Sequence, residues 1–268
     1  MTASLQGSPE SIAAIAPFHT LSPQGQRRLE QARSLVTFSE GQLISPGDSV
    51  GDRVLVLLSG EARLLGERDG RPFTVERLGP GAIIGLASLL RAEGCEPVSA
   101  ATAIEAVAIP DALMLELLQS EAELRRWCAE RVWTAELHAL LELQDKAHPG
   151  ARSFDVAGWR TRLERLRGAV RGVESSPGAR PAALAPDEQW LLASANVPGL
   201  AIGTPLPADA PLPRPRPPLP LRLLALRRDA LADEVSNGSI TAAPQLERPD
   251  AAGRSEEHTS ELQSHSDL

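Results

Sequence analysis

The side chains best suited to chemistry are few, and their spacing argues against catalysis. Cys95 and Cys128 have neither metal-binding nor redox spacing and fall in different predicted elements, so reduced thiols of a cytosolic compartment are the default. Of the five histidines, His19, His138 and His148 lie in plausible native sequence, and no two of them have ligand spacing. There is no Gly-x-x-x-x-Gly-Lys-Ser/Thr phosphate loop and no nucleophile, base and acid set, so the chain is read as a non-enzyme with no metal site. The chemistry that remains is binding. Between Gly41 and Thr102, five glycines (Gly41, Gly47, Gly60, Gly81 and Gly85) punctuate short apolar runs, a pattern that reads as a small antiparallel β-roll with one ligand-sized pocket.

The elements that must build this pocket follow from the same stretch. Arg53–Leu58, Glu61–Leu65, Phe73–Leu78, Pro97–Ala101 and Ala103–Ile109 have strand length, and Ser34–Phe38 precedes them as a first strand. Ser59-Gly60 and Asp69-Gly70 read as hairpin turns, since glycine takes the positive φ such turns demand. Ahead of the roll, Ser11–Phe18 starts a short helix interrupted by Pro17. Ser22–Arg33 reads as a second helix, with Ser22 as N-cap and Pro23 in the first helical position. Behind the roll, Asp111 caps a helix over Ala112–Gln119, and Ser120-Glu-Ala-Glu123 reads as a capping box opening a helix to about Gln144. Leu124, Cys128, Val132, Ala135, Ala139 and Leu143 share one face of that helix, which serves either packing on the roll or a dimer seam.

The motifs Gly41-Gln-Leu-Ile-Ser-Pro-Gly-Asp48, Val54-Leu-Val-Leu-Leu-Ser-Gly-Glu61 and Leu78-Gly-Pro-Gly-Ala-Ile-Ile-Gly85 resemble the cyclic nucleotide-binding domain family. That module is shared by catabolite-activator regulators, protein kinase A regulatory subunits and cyclic-nucleotide-gated channels. The resemblance spans roughly Ile12 to Gln144 and implies an α+β domain, a jelly-roll type β-roll with flanking helices. It also implies a pocket formed by Gly85, Leu86, Ala87, Ser88, Arg91, Gly94, Val98 and Ser99, with cyclic AMP or cyclic GMP as the ligand class. In the family a short helix offers backbone N–H groups to the cyclic phosphate, an arginine adds a bidentate contact, and a glutamate accepts from the ribose hydroxyl. Here the glutamate position is Leu86 and the arginine position falls near Gly94, leaving Arg91 as the basic residue nearby. One lost charged contact costs about 1.5–3 kcal/mol, roughly tenfold to a hundredfold in affinity. Three readings of the pocket therefore stand side by side: a scaffold that binds no nucleotide, a site for another small ligand, and residual nucleotide binding.

Composition bounds the rest. The 268 residues allow one or two domains, and the net charge of −8 is concentrated in the first 150 residues, with 13 basic against 20 acidic side chains. An acidic half without a basic stripe speaks against nucleic acid as its partner. Lys146 is the single lysine among 27 basic residues and tyrosine is absent, which reads as a coding bias rather than a chemical choice. No secretory signal opens the sequence and no apolar run of about 18 residues occurs, so a cytoplasmic location is expected.

Residues 1–10 are expected to be disordered and 11–147 to form the cyclic nucleotide-binding-like domain. Within 151–173 the pattern predicts an amphipathic helix, Phe154–Arg171, with Trp159, Leu163, Leu166 and Val170 on one face. Arg160, Arg162, Arg165, Arg167 and Arg171 lie around the other, either solvated or meeting a partner or a membrane surface. A helix-turn-helix would need a second helix at a tight turn before it, and none is found. Residues 174–253 read as a proline-rich linker. Within it, Trp190–Ser194, Leu200–Ile202 and Leu219–Arg228 are candidate strands of a small β-unit, and Pro205–Pro220, with eight prolines, reads as a stiff spacer or a ligand for a proline-binding domain.

The segments Trp190–Gly203 and Pro217–Leu223 resemble the region between such a domain and the membrane core of ABC-type peptide or protein exporters. Arg254–Leu268 reads as a translated sequencing-library adapter, so the native chain is expected to continue past Gly253 into a membrane or effector region. The function expected is a regulatory sensor or docking domain, degenerate at its phosphate and ribose contacts, as the cytosolic part of such an exporter. The alternatives are a fragment of a catabolite-activator-type transcription regulator and a stand-alone interaction module. The expected partners are a small-molecule ligand, a second copy through helix 121–144 and the continuing chain, with no nucleic acid contact from this part.

Overall fold

The computed structural model describes residues 12, 15–147, 155–174 and 184–230. Residues 1–11, 13–14, 148–154, 175–183 and 231–268 lie outside the described residues, His148 and Phe154 among them; of the short helix expected from Ser11, residues 15–17 are bend and turn, and a 3-10 helix spans Phe18–Thr20. Two four-stranded antiparallel sheets form a roll. One runs in the order β1 (Ser34–Phe38), β8 (Ile104–Pro110), β3 (Arg53–Ser59) and β6 (Ile83–Ile84). The other runs β2 (Leu43–Ser45), β7 (Val98–Ala100), β4 (Ala62–Arg68) and β5 (Arg71–Leu78).

The turns form where glycine permits them. A Cβ at Gly60 (φ +82) would lie 2.2 Å from the Ala103 carbonyl oxygen, so the turn between β3 and β4 fits only a residue without one. Residues of both sheets, among them Val54, Val56, Leu64, Val98, Ala106 and Ile109, make one apolar core with Phe18 and Leu29 from the helical side. The helix α1 (Pro23–Ala32) begins as expected. The Ser22 hydroxyl accepts from the Gly25 N–H at 3.1 Å and Pro23 fills the first position.

The helices after the roll depart from expectation. The helix expected over Ala112–Gln119 is present as α3 (Asp111–Ser120), but in place of one helix from Ser120 to about Gln144 the chain makes α4 (Ala122–Glu130) and α5 (Thr134–Ala147), with a break at Arg131–Trp133. The expected capping box is not formed. The Ser120 hydroxyl donates to the Glu116 carbonyl, and Glu121 accepts from the Ser22 N–H and hydroxyl at 3.0 and 2.7 Å, fastening α4 to α1. The break is stabilised from a distance. Arg222 donates to the carbonyls of Cys128 and Ala129 at 3.0 and 2.7 Å and to that of Arg131, satisfying acceptors that the end of a helix leaves free. The same guanidinium makes two 2.8 Å bonds to the Glu136 carboxylate in the first turn of α5.

Arg222 leads into a third sheet, ordered β11 (Pro205–Leu206), β10 (Glu188–Leu192), β12 (Leu223–Arg227) and β9 (Val170–Val173), all antiparallel. Its alternation buries both faces. Leu191, Leu224 and Leu226 meet Leu137, Leu140 and Leu141 of α5 together with Trp159, Leu163 and Leu166 of α6 (Val156–Arg167). On the other side, Trp190, Leu192, Leu223 and Ala225 are covered by Val197, Leu212 and Leu221. The apolar stripe of α5 is thus largely consumed within the chain, with Leu143 left exposed.

Three further expectations change with this sheet. The helix α6 stops at Gly168, because Val170 and Arg171 belong to β9. Leu200–Ile202 is not a strand but irregular chain running into a turn at Ile202, and Pro205–Leu206 pairs with β10 instead. The proline-rich segment is no free spacer, since it buries Leu212 and is held by Asn196, whose amide donates to the carbonyls of Leu219 and Pro220 at 3.1 and 3.3 Å. Of the arginines expected around the other face of the Phe154–Arg171 helix, Arg162 is buried, and Arg160, Arg167 and Arg171 stay exposed while bonding to the chain, Arg171 from β9. Arg160 donates to the Thr74 carbonyl, Arg162 is buried against Asp145, Arg167 reaches Glu76 and Thr134, and Arg171 makes a two-bond contact with Glu188.

Candidate functional site

The candidate pocket centres on the turn from β6 into α2 (Leu86–Arg91). Gly85 holds φ +88, and a Cβ there would lie 2.9 Å from the Arg53 carbonyl, so glycine lets the chain turn tightly over β3 and start the helix. The first N–H groups of a helix have no intrahelical acceptor and attract anions. Here an acceptor comes from the chain itself. The carboxylate of Glu96, 4% exposed, accepts from the Ser88 N–H at 2.9 Å. Burial pushes the Glu96 carboxyl up from its ordinary range and nearby Glu136 pushes the same way, whereas hydrogen bonding from Ser88 and Gly85 favours the ionised form. The Ser88 hydroxyl in turn accepts from the Cys95 N–H at 3.1 Å, closing the loop that follows α2 against its first turn.

The expected site residues separate into two groups around this arrangement. Gly85, Leu86, Ala87 and Ser88 come together with Glu96 at the start of α2, and Leu86 and Ala87 are fully buried. Val98 and Ser99 are buried in β7 between β2 and β4. Gly94 packs on the Pro-Gly-Asp corner. A Cβ at 94 would stand 2.4 Å from the Ser49 nitrogen and 2.6 Å from the Gly47 oxygen, so no larger side chain fits without displacing that corner. Arg91 lies in the last turn of α2, at the opposite end from the free N–H groups. Its side chain is 0% exposed, none of its three guanidinium nitrogens makes a hydrogen bond, and the Glu93 carboxylate is 3.6 Å away. Glu96 is the residue that sequence reasoning missed. Its only signal is an acidic side chain in the short loop before β7.

A second polar cluster lies beneath α6. Nδ1 of His138 accepts from the Trp159 indole N–H at 3.2 Å, and Asp145 holds Arg68 and Arg162, each at 2.9 Å, while Arg68 also covers the Trp159 ring at 4.3 Å. Burial, with a smaller contribution from Arg68, lowers His138 to about 4. Every base and acid here is tied to a structural partner, and the cluster has the character of a core network. An apolar cavity of about 200 Å³ lies between Leu140 and Leu143 of α5, Leu166 of α6, and Leu191, Ile202 and Leu226 of the third sheet unit. Among the described residues no three His, Cys, Asp or Glu side chains gather as a metal site, and no helix is long and apolar enough to cross a membrane.

Residues 35–121 match the family model described as the cyclic nucleotide-binding domain. No curated protein matches the chain. Among solved structures, the chain is similar to the catabolite activator protein of Thermus thermophilus at 24% identity, covering 49% of this chain and 59% of that one with a TM-score of 0.36. The N-terminal domain of a transcriptional regulator from Streptomyces coelicolor matches at 23% identity, covering 52% and 93%, with a TM-score of 0.35. The regulatory subunit of a cAMP-independent protein kinase A from Trypanosoma brucei matches at 18% identity, covering 44% and 47%, with a TM-score of 0.36.

Proposed function

With a cyclic nucleotide-binding domain at residues 35–121, we propose that this chain is a regulatory docking module whose pocket is filled by its own Glu96 carboxylate and takes no cyclic nucleotide. The observation that carries this reading is the hydrogen bond from the Ser88 N–H to Glu96 at the start of α2, where the family resemblance expects a cyclic phosphate. Buried Leu86 in place of a ribose acceptor, and the absence of room for a side chain at Gly94, support it. The Glu96 side chain already bonded there and a phosphate compete for the same N–H in one small cradle, so the internal acceptor excludes the external one.

Cast as a regulator, the roll (11–147) receives a partner or small-ligand signal, and the helix and sheet between 155 and 230 pass it on. The segments that resemble an exporter's connecting region, Trp190–Gly203 and Pro217–Leu223, contribute the end of β10 and the first residue of β12 to that sheet. The effector in this reading is an ABC-type exporter core on a continuing chain, and the setting is cytoplasmic.

Titration calorimetry with cyclic AMP and cyclic GMP tests the pocket. No heat is expected from the natural chain at micromolar concentrations. Micromolar binding that disappears in Arg91→Ala, or that weakens when Glu96 is left in place and Ser88→Pro removes the N–H, would restore nucleotide sensing and sink the self-filled reading.

A further inference from the structure

Three consecutive residues after β10 connect parts of the molecule that the sequence keeps far apart. The Ala193 N–H donates to the Arg222 carbonyl at 2.9 Å, and the Ser194 hydroxyl accepts from the Arg222 N–H at 3.2 Å. The Ala195 N–H donates to the Arg91 carbonyl at 2.8 Å, at the C-terminal end of α2. On the far side of Arg222, its side chain holds the end of α4 through the carbonyls of Cys128, Ala129 and Arg131, and the start of α5 through Glu136. The guanidinium also lies 5.2 Å from the Trp133 ring, inside the break itself. A second strand of the same sheet presses on the same place. A Cβ at Gly172 of β9 would lie 2.2 Å from the Ala129 carbonyl oxygen, so the sheet backbone is in direct contact with the end of α4.

We propose that Arg222 is a positioning residue through which the third sheet couples the α2 end of the roll to the joint between α4 and α5, so that the two loosen and tighten together. The argument is one of geometry and satisfaction. Arg222 and Glu136 are 3% and 0% exposed, so neither charge has water as an alternative partner, and moving the joint alone would strand both. The backbone of Arg222 is fixed to Ala193 and Ser194, leaving no slack between that charge and the Ala195 bond to α2. A shift of the joint is therefore carried to the carbonyl end of α2, and a shift of α2 back to the joint. The inference deepens the docking-module reading by naming how the signal would travel, but the contacts it uses involve no ligand.

Native-state hydrogen exchange of the unliganded full chain, followed with increasing urea, reads this directly. In the natural protein the α2 amides of Leu89 and Ala92 and the joint amides of Arg131 and Leu137 should lose protection in one shared step, below the unfolding of β3 and β8. Separate steps overturn the proposal. In Arg222→Met, exchange at both places should rise at least tenfold while β3 and β8 keep their rates. A rise confined to 131–137 would make Arg222 a local cap only and overturn it. If that variant does not fold, Arg222→Met combined with Glu136→Met leaves no stranded charge and carries the same comparison, with unchanged α2 protection again the overturning result. Cyclic nucleotide binding by the natural chain would defeat the self-filled pocket and leave these exchange results standing, so the two readings fail separately.

Discussion

Arg91 and Arg222 are buried to nearly the same degree, at 0% and 3% exposure, and are equipped in opposite ways. Arg91 makes no hydrogen bond with any guanidinium nitrogen, whereas Arg222 is bonded to one carboxylate and three backbone carbonyls. A buried cation is tolerated where its donors are satisfied and is costly where they are not. The contrast separates the two ends of the molecule. At the junction with the third sheet, the Arg222 guanidinium is matched by the Glu136 carboxylate and the carbonyls of Cys128, Ala129 and Arg131. At the pocket end a cation is enclosed without hydrogen-bond acceptors, while the cradle a few residues away is filled by Glu96. The buried guanidinium at the joint with the third sheet has its acceptors, and the one at the end of α2 does not.

The largest test of the comparison removes one half of the well-matched pair. Glu136→Ala leaves Arg222 charged, buried and short of its carboxylate, and should cost about 3–5 kcal/mol of stability in urea unfolding. Replacing both partners with methionine should recover most of that loss, because no charge remains to be desolvated. A Glu136→Ala variant within about 1 kcal/mol of the natural protein would mean the pair is wet, and the contrast with Arg91 would collapse.

The next test asks whether the network under α6 behaves like the satisfied end. His138 is held neutral by burial, with its pKa lowered from 6.5 to about 4. For a base whose folded pKa is depressed, the stabilising contribution is present above the unfolded value and is lost as pH falls through the window from 6.5 towards 4. The loss is on the order of 3 kcal/mol at the acid end of that window. Urea midpoints between pH 7.5 and 4 should fall steeply in the natural protein and more gently in His138→Leu. Glu96 works in the other sense: its carboxyl is raised by burial, so its contribution is fully present below the ordinary glutamate value and fades as pH rises through the folded one. Glu96→Gln should remove that component and leave the His138 slope untouched. Identical slopes in the natural and His138→Leu proteins would show that the histidine is already hydrated.

What the sequence made legible and what it hid follow from the range of the interactions. The strands and turns of the roll were readable because their determinants are local: apolar alternation and a glycine such as Gly60, whose position admits no Cβ. Leu86 and Gly94 were readable as departures from a motif, for the same reason. The break at Arg131–Trp133 was not, because the apolar period of the helix runs straight through it and the cap that stabilises it arrives from Arg222, more than 80 residues later. Glu96 was hidden for a related reason. A glutamate between Cys95 and Pro97 reads as a solvated loop residue until the fold turns its carboxylate onto the Ser88 N–H. The arginines between 160 and 171 read as a polar face, and only the tertiary positions of Thr74, Asp145 and Glu188 reveal the partners of Arg160, Arg162 and Arg171.

The smallest expected effect is also the sharpest on the comparison, since it concerns Arg91 itself. Arg91→Met keeps the length and much of the apolar packing of the side chain and removes a charge that has no hydrogen-bond acceptor in its surroundings. Its backbone carbonyl, which accepts from Ala195, is unaffected by the substitution, so the tie between α2 and the third sheet should survive. If the guanidinium is as poorly satisfied as its contacts indicate, the variant should unfold at equal or slightly higher urea, a gain of about 1 kcal/mol at most, the scale of an unmade hydrogen bond recovered. The contact with Glu93 at 3.6 Å works against this gain, but Glu93 is half exposed and can turn to water once its partner is gone. A loss of about 3 kcal/mol, the cost of breaking a buried pair, would instead mean that Arg91 has an acceptor as strong as those of Arg222. The two arginines would then be alike, and the pocket end would have to be counted among the specified parts of the fold.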